Sequence, residues 1–96
     1  MSILVLLEGK VKEGSAEALE NILREIFPGT RSYKGCAGIT AAFDSERKSV
    51  IFVEEWDSQS DYENYITWRK ETGVLGHILA QLDGEPSIRY FHPSSA

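Results

Sequence analysis

Two strand-like runs, Cys36 to Phe43 and Ser49 to Trp56, are joined by the turn Asp44-Ser45-Glu46-Arg47 and lie between two helical patterns. A hairpin with a helix on each side along the chain leaves few folds open. Upstream, Ile3 to Val11 is rich in aliphatic residues and passes from a continuous to an alternating pattern at Leu7-Glu8-Gly9-Lys10-Val11, as a strand leaving a core does. Gly14-Ser15 offers a helix start, and Ala16, Leu19, Ile22, Leu23, Ile26 and Phe27 then recur at three- and four-residue spacing. Glu17, Glu20, Asn21, Arg24 and Glu25 occupy the other face, which makes this helix amphipathic. Pro28-Gly29 is expected to stop it.

Downstream of the hairpin, two capping boxes compete to start a second helix, Ser58 with Asp61 and Ser60 with Glu63. Tyr62, Tyr65, Ile66 and Arg69 trace its stripe, Gly73 interrupts it, and Val74, Leu75, Ile78, Leu79 and Leu82 mark a further helical turn or two. Asp83-Gly84-Glu85-Pro86 ends that segment, and Ser87 to His92 reads as a last strand running into a short tail, 92–96.

The order is therefore β-α-β-β-α-β, an α+β, ferredoxin-like split βαβ arrangement, with four strands in one antiparallel sheet and the helices on one face. The 96 residues form one domain, 1–96. Apolar residues at alternate positions, Ile39, Ala41, Phe43, Ile51, Val53, Ile88 and Tyr90, supply both sheet faces, more than one helical layer covers. A second copy of the chain is the expected cover.

Fifteen Asp and Glu against ten Lys and Arg give a formal charge of −5, which repels phosphate backbones and anionic membranes. Neither nucleic acid nor membrane is an expected partner. The segment Lys48 to Glu54 also lacks the Gly-aromatic pattern of an RNA-binding sheet of this topology. The lone Cys36 has no partner for a disulfide or a zinc site, pointing to a reducing cytoplasm. The apolar run Ile3 to Leu7 has no basic region before it, no small-residue cleavage site after it and not the length of a membrane span.

The segment Thr30-Arg31-Ser32-Tyr33-Lys34-Gly35-Cys36, then a hairpin, then Phe52-Val53-Glu54-Glu55-Trp56-Asp57-Ser58 leading into a helix, resembles the antibiotic biosynthesis monooxygenase family. The resemblance spans Ile3 to His92 and rests on an Arg, a Gly-Cys pair opening the second strand and an acid-Trp pair closing the third. It implies a dimeric α+β barrel of two chains packed sheet to sheet. It also implies oxidation of phenols, anthrones or quinols by molecular oxygen with no metal or flavin, while some relatives cleave haem. Where many members carry a His on the helix after the Trp, this chain has Tyr65, and Leu7 or Glu8 stands where haem-degrading relatives carry an Asn. Both departures argue against haem cleavage and against a haem-ligand role for His77. The run Tyr65 to Gly73 is similar to a sub-group of small members with a Tyr-x-x-Trp-Arg-x-x-x-Gly helix.

Cofactor-free oxygenation needs an enclosed apolar pocket, a proton acceptor and a group that steadies the resulting anion. His77, with an ordinary pKa of about 6.5, is the candidate acceptor, or else a surface or core histidine. Arg69 is always charged and suits an enolate or superoxide, unless Glu63 or Glu71 holds it in a surface pair. Tyr65 either hydrogen-bonds a substrate oxygen or packs in the core with its hydroxyl at the rim. Trp68 falls off the stripe, so it lines a pocket, meets solvent or packs on a second subunit. Trp56 is a candidate substrate contact and, more simply, an aromatic plug between sheet and helix.

Arg31, Glu54, Glu55, Tyr90 and His92 are within reach of a pocket or a dimer interface, and one alternation does not assign their faces. Glu54 and Glu55 point to opposite sides of a strand, so they form no acid pair, and Cys36 reads as a small buried residue. Two functions remain: a monooxygenase acting on a small aromatic substrate, or a non-catalytic dimeric module that binds a small ligand or serves in stress or regulation.

Overall fold

Strand β1 (Ile3–Lys10) lies inside a four-stranded antiparallel sheet of order β2-β3-β1-β4 in the computed structural model, which describes residues 2–96. The other elements follow as α1 (Ala16–Arg31), β2 (Cys36–Phe43), β3 (Ser49–Trp56), α2 (Gln59–Glu71), α3 (Val74–Leu79) and β4 (Ser87–Phe91). This is the expected ferredoxin-like α+β order, with α3 as the further helical turn after Gly73. Val11 leaves β1 and makes an isolated bridge to Leu82, and β4 ends one residue before His92.

Registers fix which side chains share a face, because residues directly opposite on paired strands point the same way. One row runs Ile39, Glu54, Val5, Tyr90 and the next Ala41, Phe52, Leu7, Ile88. These face the helices, where Leu19, Leu23 and Phe27 of α1 pack on Leu7, Ile39, Val50 and Phe52. Tyr62 and Tyr65 of α2 pack on Ile3, Val5 and Trp56. The opposite face carries the rows Thr40, Val53, Leu6, Arg89 and Gly38, Glu55, Leu4, Phe91, and no helix covers it. Val53 and Phe91 are each 40% exposed there. Apolar side chains thus occupy both faces, as the alternation implies.

Pro28-Gly29 does not end α1, which continues to Arg31. Proline removes only its own N–H from the ladder, and the last turn is held from outside. Ser32 N–H donates to Pro28 O at 3.2 Å, and Arg69 of α2 donates to Ile26 O at 2.7 Å. Gly29 leaves the approach clear, since a Cβ there would sit 3.2 Å from Arg69 Nη2. The continued main-chain ladder and one tertiary hydrogen bond, from Arg69, together override the local stop signal.

Of the two capping boxes, Ser58 with Asp61 starts α2. Ser58 Oγ accepts from Asp61 N–H at 3.1 Å and donates to Asp61 Oδ2 at 3.0 Å. Asp61 also explains the Gly-Cys pair. Gly35 has φ +90°, and a Cβ there would lie 2.5 Å from the Asp61 side chain, so only glycine fits.

Candidate functional site

Between the helices and the covered sheet face lies a cavity of about 320 Å³. Its walls are apolar, from Leu7, Phe52, Ile26, Ile78 and Leu82, and inside the mouth four polar side chains interrupt them, Glu54, Tyr62, Tyr65 and Arg69, with Glu85 a fifth at the mouth itself. Exposed Leu79, Glu85 and Ile88 mark its mouth, where α3, the loop after it and β4 meet. A mostly apolar cleft with a few convergent polar groups is the usual form of a small-molecule site.

Alternation along Val50, Phe52, Glu54 and Trp56 directs all four side chains toward the helices, which carries a carboxylate into the core row. Glu54 is 3% exposed, and Trp56 Nε1 donates to its Oε1 at 3.0 Å. Among the described residues no other donor reaches this carboxyl. Burial pushes the Glu54 pKa up to about 7, and the Trp56 bond offsets part of that rise. Glu55 is exposed on the other face, so the two acids do not meet.

Tyr62, one helical turn before Tyr65, also lines the cavity. Its hydroxyl is buried without a hydrogen-bond partner, and burial first, then the neighbouring Glu54 charge, raises its pKa. Tyr62 packs edge-on against both Trp56 (5.8 Å) and Tyr90 (5.9 Å), which fixes the ring.

Arg69 is 7% exposed and forms no ion pair with a carboxylate among the described residues. The surface pair with Glu63 or Glu71 is absent, because the stripe turns Arg69 inward onto the end of α1. There its Nε donates to Tyr65 Oη at 3.0 Å, and Nη2 donates to Ile26 O at 2.7 Å and to Thr30 Oγ1 at 3.2 Å. Thr30 Oγ1 donates in turn to Ile26 O at 3.3 Å, so the proton in its 2.6 Å bond with Tyr65 comes from Tyr65. A cation thus caps the negative end of α1 and holds Tyr65 and Thr30 in one network. Nη1 makes no bond within the protein among the described residues, and the side chain faces the cavity.

Of the residues singled out in the sequence, Tyr65 and Arg69 line this cavity and the other three do not. Trp56 is fully buried behind Glu54, in contact with Tyr33, Tyr62 and Tyr65. Trp68 is half-buried, stacked on Tyr33 at 5.1 Å and covered by the Arg69 guanidinium at 4.3 Å from its ring centre. His77 is exposed on α3, although its neighbours Leu75 and Ile78 reach the cavity. Glu54 is one of the residues whose face the sequence leaves open, and Tyr62 and Thr30 are not among the candidates. The signal for Glu54 was an acid on the apolar parity of a strand, and for Tyr62 its place on the stripe that carries Tyr65 and Arg69. Thr30 followed an expected helix stop and so had none.

A second hollow, about 730 Å³, runs along α1 and the β2–β3 hairpin but is open and polar. Within it Arg47 pairs with Glu20 at 2.8 Å. Among the described residues no cluster of three or more His, Cys, Asp and Glu side chains is arranged to hold a metal ion, and no helix is long and apolar enough to cross a membrane.

Comparison with solved structures gives close backbone agreement at low sequence identity. A conserved protein from Methanosarcina mazei Go1 aligns with a TM-score of 0.87 and 18% identity over 98% of this chain and 94% of its own. A protein described as an antibiotic biosynthesis monooxygenase aligns with a TM-score of 0.84 and 16% identity over 96% and 98%. A protein from Shewanella oneidensis aligns with a TM-score of 0.80 and 20% identity over 96% and 90%. At these identities the likeness establishes the fold. No match is found among curated proteins. The sequence pattern of the family described as antibiotic biosynthesis monooxygenase matches residues 2–67, well over half of the chain and all of β1 through most of α2. The chain belongs to the antibiotic biosynthesis monooxygenase family.

Proposed function

We propose that this protein is a monooxygenase that oxidises a small phenolic or quinolic aromatic with molecular oxygen, without drawing on metal or flavin. The observation that carries the reading is Arg69, a buried cation with no carboxylate partner, on the wall of an apolar cavity. Such a group has most effect where negative charge develops in a place sheltered from water.

The chemistry closes with substrate and oxygen alone. Loss of the phenolic proton leaves an electron-rich ring, which passes one electron to O2. The resulting radical and superoxide couple to form a C–O bond, protonation gives the hydroperoxide, and loss of water leaves a quinone carbonyl. One oxygen atom enters the product and the other leaves as water. Arg69 steadies the phenolate and the superoxide in turn, Tyr65 and Thr30 hold its guanidinium in place, and the apolar walls exclude water. Trp68 covers the far side of the guanidinium and so keeps it directed inward. His77 is exposed outside the cavity, so the proton acceptor lies among the groups within it.

A volume of about 320 Å³ is at the small end for ligand sites, which suits one or two fused rings better than a polycycle. The open sheet face, with Leu4, Leu6, Ile51, Val53 and Phe91, supports a homodimer packed sheet to sheet. The lone Cys36 is consistent with work in the cytoplasm.

The test is oxygen consumption by metal-stripped, flavin-free protein over hydroquinones, catechols and anthrones, against heat-killed protein and the Arg69→Lys variant. Saturable uptake with an oxygenated product, reduced in Arg69→Lys, supports the reading. Saturable binding of these compounds with no uptake overturns it in favour of a ligand-binding module of the same fold.

A further inference from the structure

Two polar groups in the cavity have hydrogen-bonding capacity that the protein itself does not meet. Tyr62 is 2% exposed and its hydroxyl finds no acceptor or donor, an arrangement that costs stability unless a bound molecule completes it. Glu54 accepts one hydrogen bond, at Oε1, and its Oε2 has none among the described residues. Both residues line the cavity, from β3 and α2, the Glu54 charge is near enough to raise the Tyr62 pKa, and the two make no hydrogen bond to one another.

An acceptor and a donor so placed describe the partner they take. A hydroxyl both donates and accepts, so one hydroxyl satisfies both groups, whereas an ether, a halide or a bare ring satisfies at most one. We infer that Glu54 and Tyr62 form a hydroxyl-recognising pole of the cavity, where a phenolic O–H donates to Glu54 Oε2, accepts from Tyr62 Oη–H, and yields its proton to Glu54. This rests on the oxygenase reading for its reaction, though not for its binding.

In the step the phenolic O–H bond breaks and a carboxyl O–H bond forms. The electron pair stays on the phenolic oxygen and spreads into the ring, where O2 is the electron acceptor. Tyr62 stabilises the new phenolate by its hydrogen bond, and Arg69 adds positive charge from the same cavity. A carboxyl held near neutrality is matched to this task, since it is deprotonated often enough to accept and basic enough to pull. Around Glu54 the other titratable groups are Tyr62 on α2, Tyr90 on β4 and Cys36 on β2, all with raised pKa values. Arg69, inside, and Glu85, at the mouth, are the charged groups on the same cavity, and Tyr65 lines it as well.

The experiment compares 2-naphthol with 2-methoxynaphthalene, which differ at the hydroxyl alone, by calorimetric titration of wild-type protein, Tyr62→Phe and Glu54→Gln, alongside oxygen uptake across pH. Wild-type protein is expected to prefer the naphthol by about tenfold or more, and each variant to reduce that preference to about threefold or less. Wild-type kcat/KM is expected to rise with pH through a midpoint near 7, and Glu54→Gln to lose that limb with about a hundredfold fall in rate. Equal binding of both ligands by wild-type protein, or a preference unchanged in both variants, overturns the inference even where oxygen uptake is robust. A preference that the variants abolish, in protein that consumes no oxygen on any substrate, supports the recognition pole and overturns the proton transfer together with the oxygenase reading. Melting curves of both variants show that the comparison is made on folded protein.

Discussion

Trp56 Nε1 donates a 3.0 Å hydrogen bond to Oε1 of Glu54, two residues earlier on the same face of β3. The pair is built from one strand's alternation, so the acid that enters the core brings its own donor. That donor holds the carboxyl in one orientation and leaves its second oxygen for the cavity.

Glu54 sets a pH dependence on stability. Its folded pKa of about 7 lies above the usual carboxylate value of 4.5, so between the two the folded chain binds more protons than the unfolded one. Stability therefore falls as pH rises from about 4.5 to 7, by up to about 3 kcal/mol for this group. Glu54→Gln keeps an acceptor for Trp56 and carries no charge. Its melting temperature is expected to match wild type at pH 5 and to exceed it by several degrees at pH 8, measured by circular dichroism.

Tyr62→Phe removes a buried hydroxyl that nothing in the protein satisfies. The variant is expected to be more stable than wild type by about 1 kcal/mol in urea denaturation. A loss of stability instead would mean that the hydroxyl has a partner in solution.

Arg69 joins α2 to the end of α1 through two acceptors there, Ile26 and Thr30, and also donates to Tyr65 of its own helix. Arg69→Ala removes three hydrogen bonds from a charged donor, leaving only the Tyr65–Thr30–Ile26 chain, and is expected to cost about 3 kcal/mol in urea denaturation. Arg69→Lys keeps the charge but not the forked geometry, and is expected to recover about half of that.

Val53 stands on the open sheet face, opposite Leu6 and Thr40. Val53→Glu is expected to convert a dimer to monomer in sedimentation velocity while leaving the far-ultraviolet spectrum unchanged, because no helix packs there. A dimer that persists would place the subunit contact elsewhere.

The strands, both helices and the hairpin turn were legible because each has a period and a punctuation: Ile39 and Val53 alternate, Leu19 and Leu23 recur, and Asp44 closes its turn by accepting from Lys48 and Ser49 at 2.7 and 2.8 Å. The end of α1 was not, since the bond that holds its last turn comes from Arg69, far along the chain. The site was legible in part for the same reason. Tyr65 and Arg69 advertise themselves as polar residues on an apolar stripe, whereas the inward face of Glu54 depends on strand register. His77 drew notice by its chemistry alone, and chemistry does not say which way a short helix presents a side chain.

Strand β4 is an edge strand bonded to β1 alone, and all five of its residues are exposed, yet Ile88 and Tyr90 form part of the cavity's surroundings. Amide exchange there is expected to follow local opening, and in β1 global unfolding. The wall nearest the mouth can therefore breathe while the α1 core and the Arg69 network stay closed. Admission of a ligand and persistence of the fold are set by different segments, so changes in β4 are free to alter the rate of entry with little effect on the melting temperature.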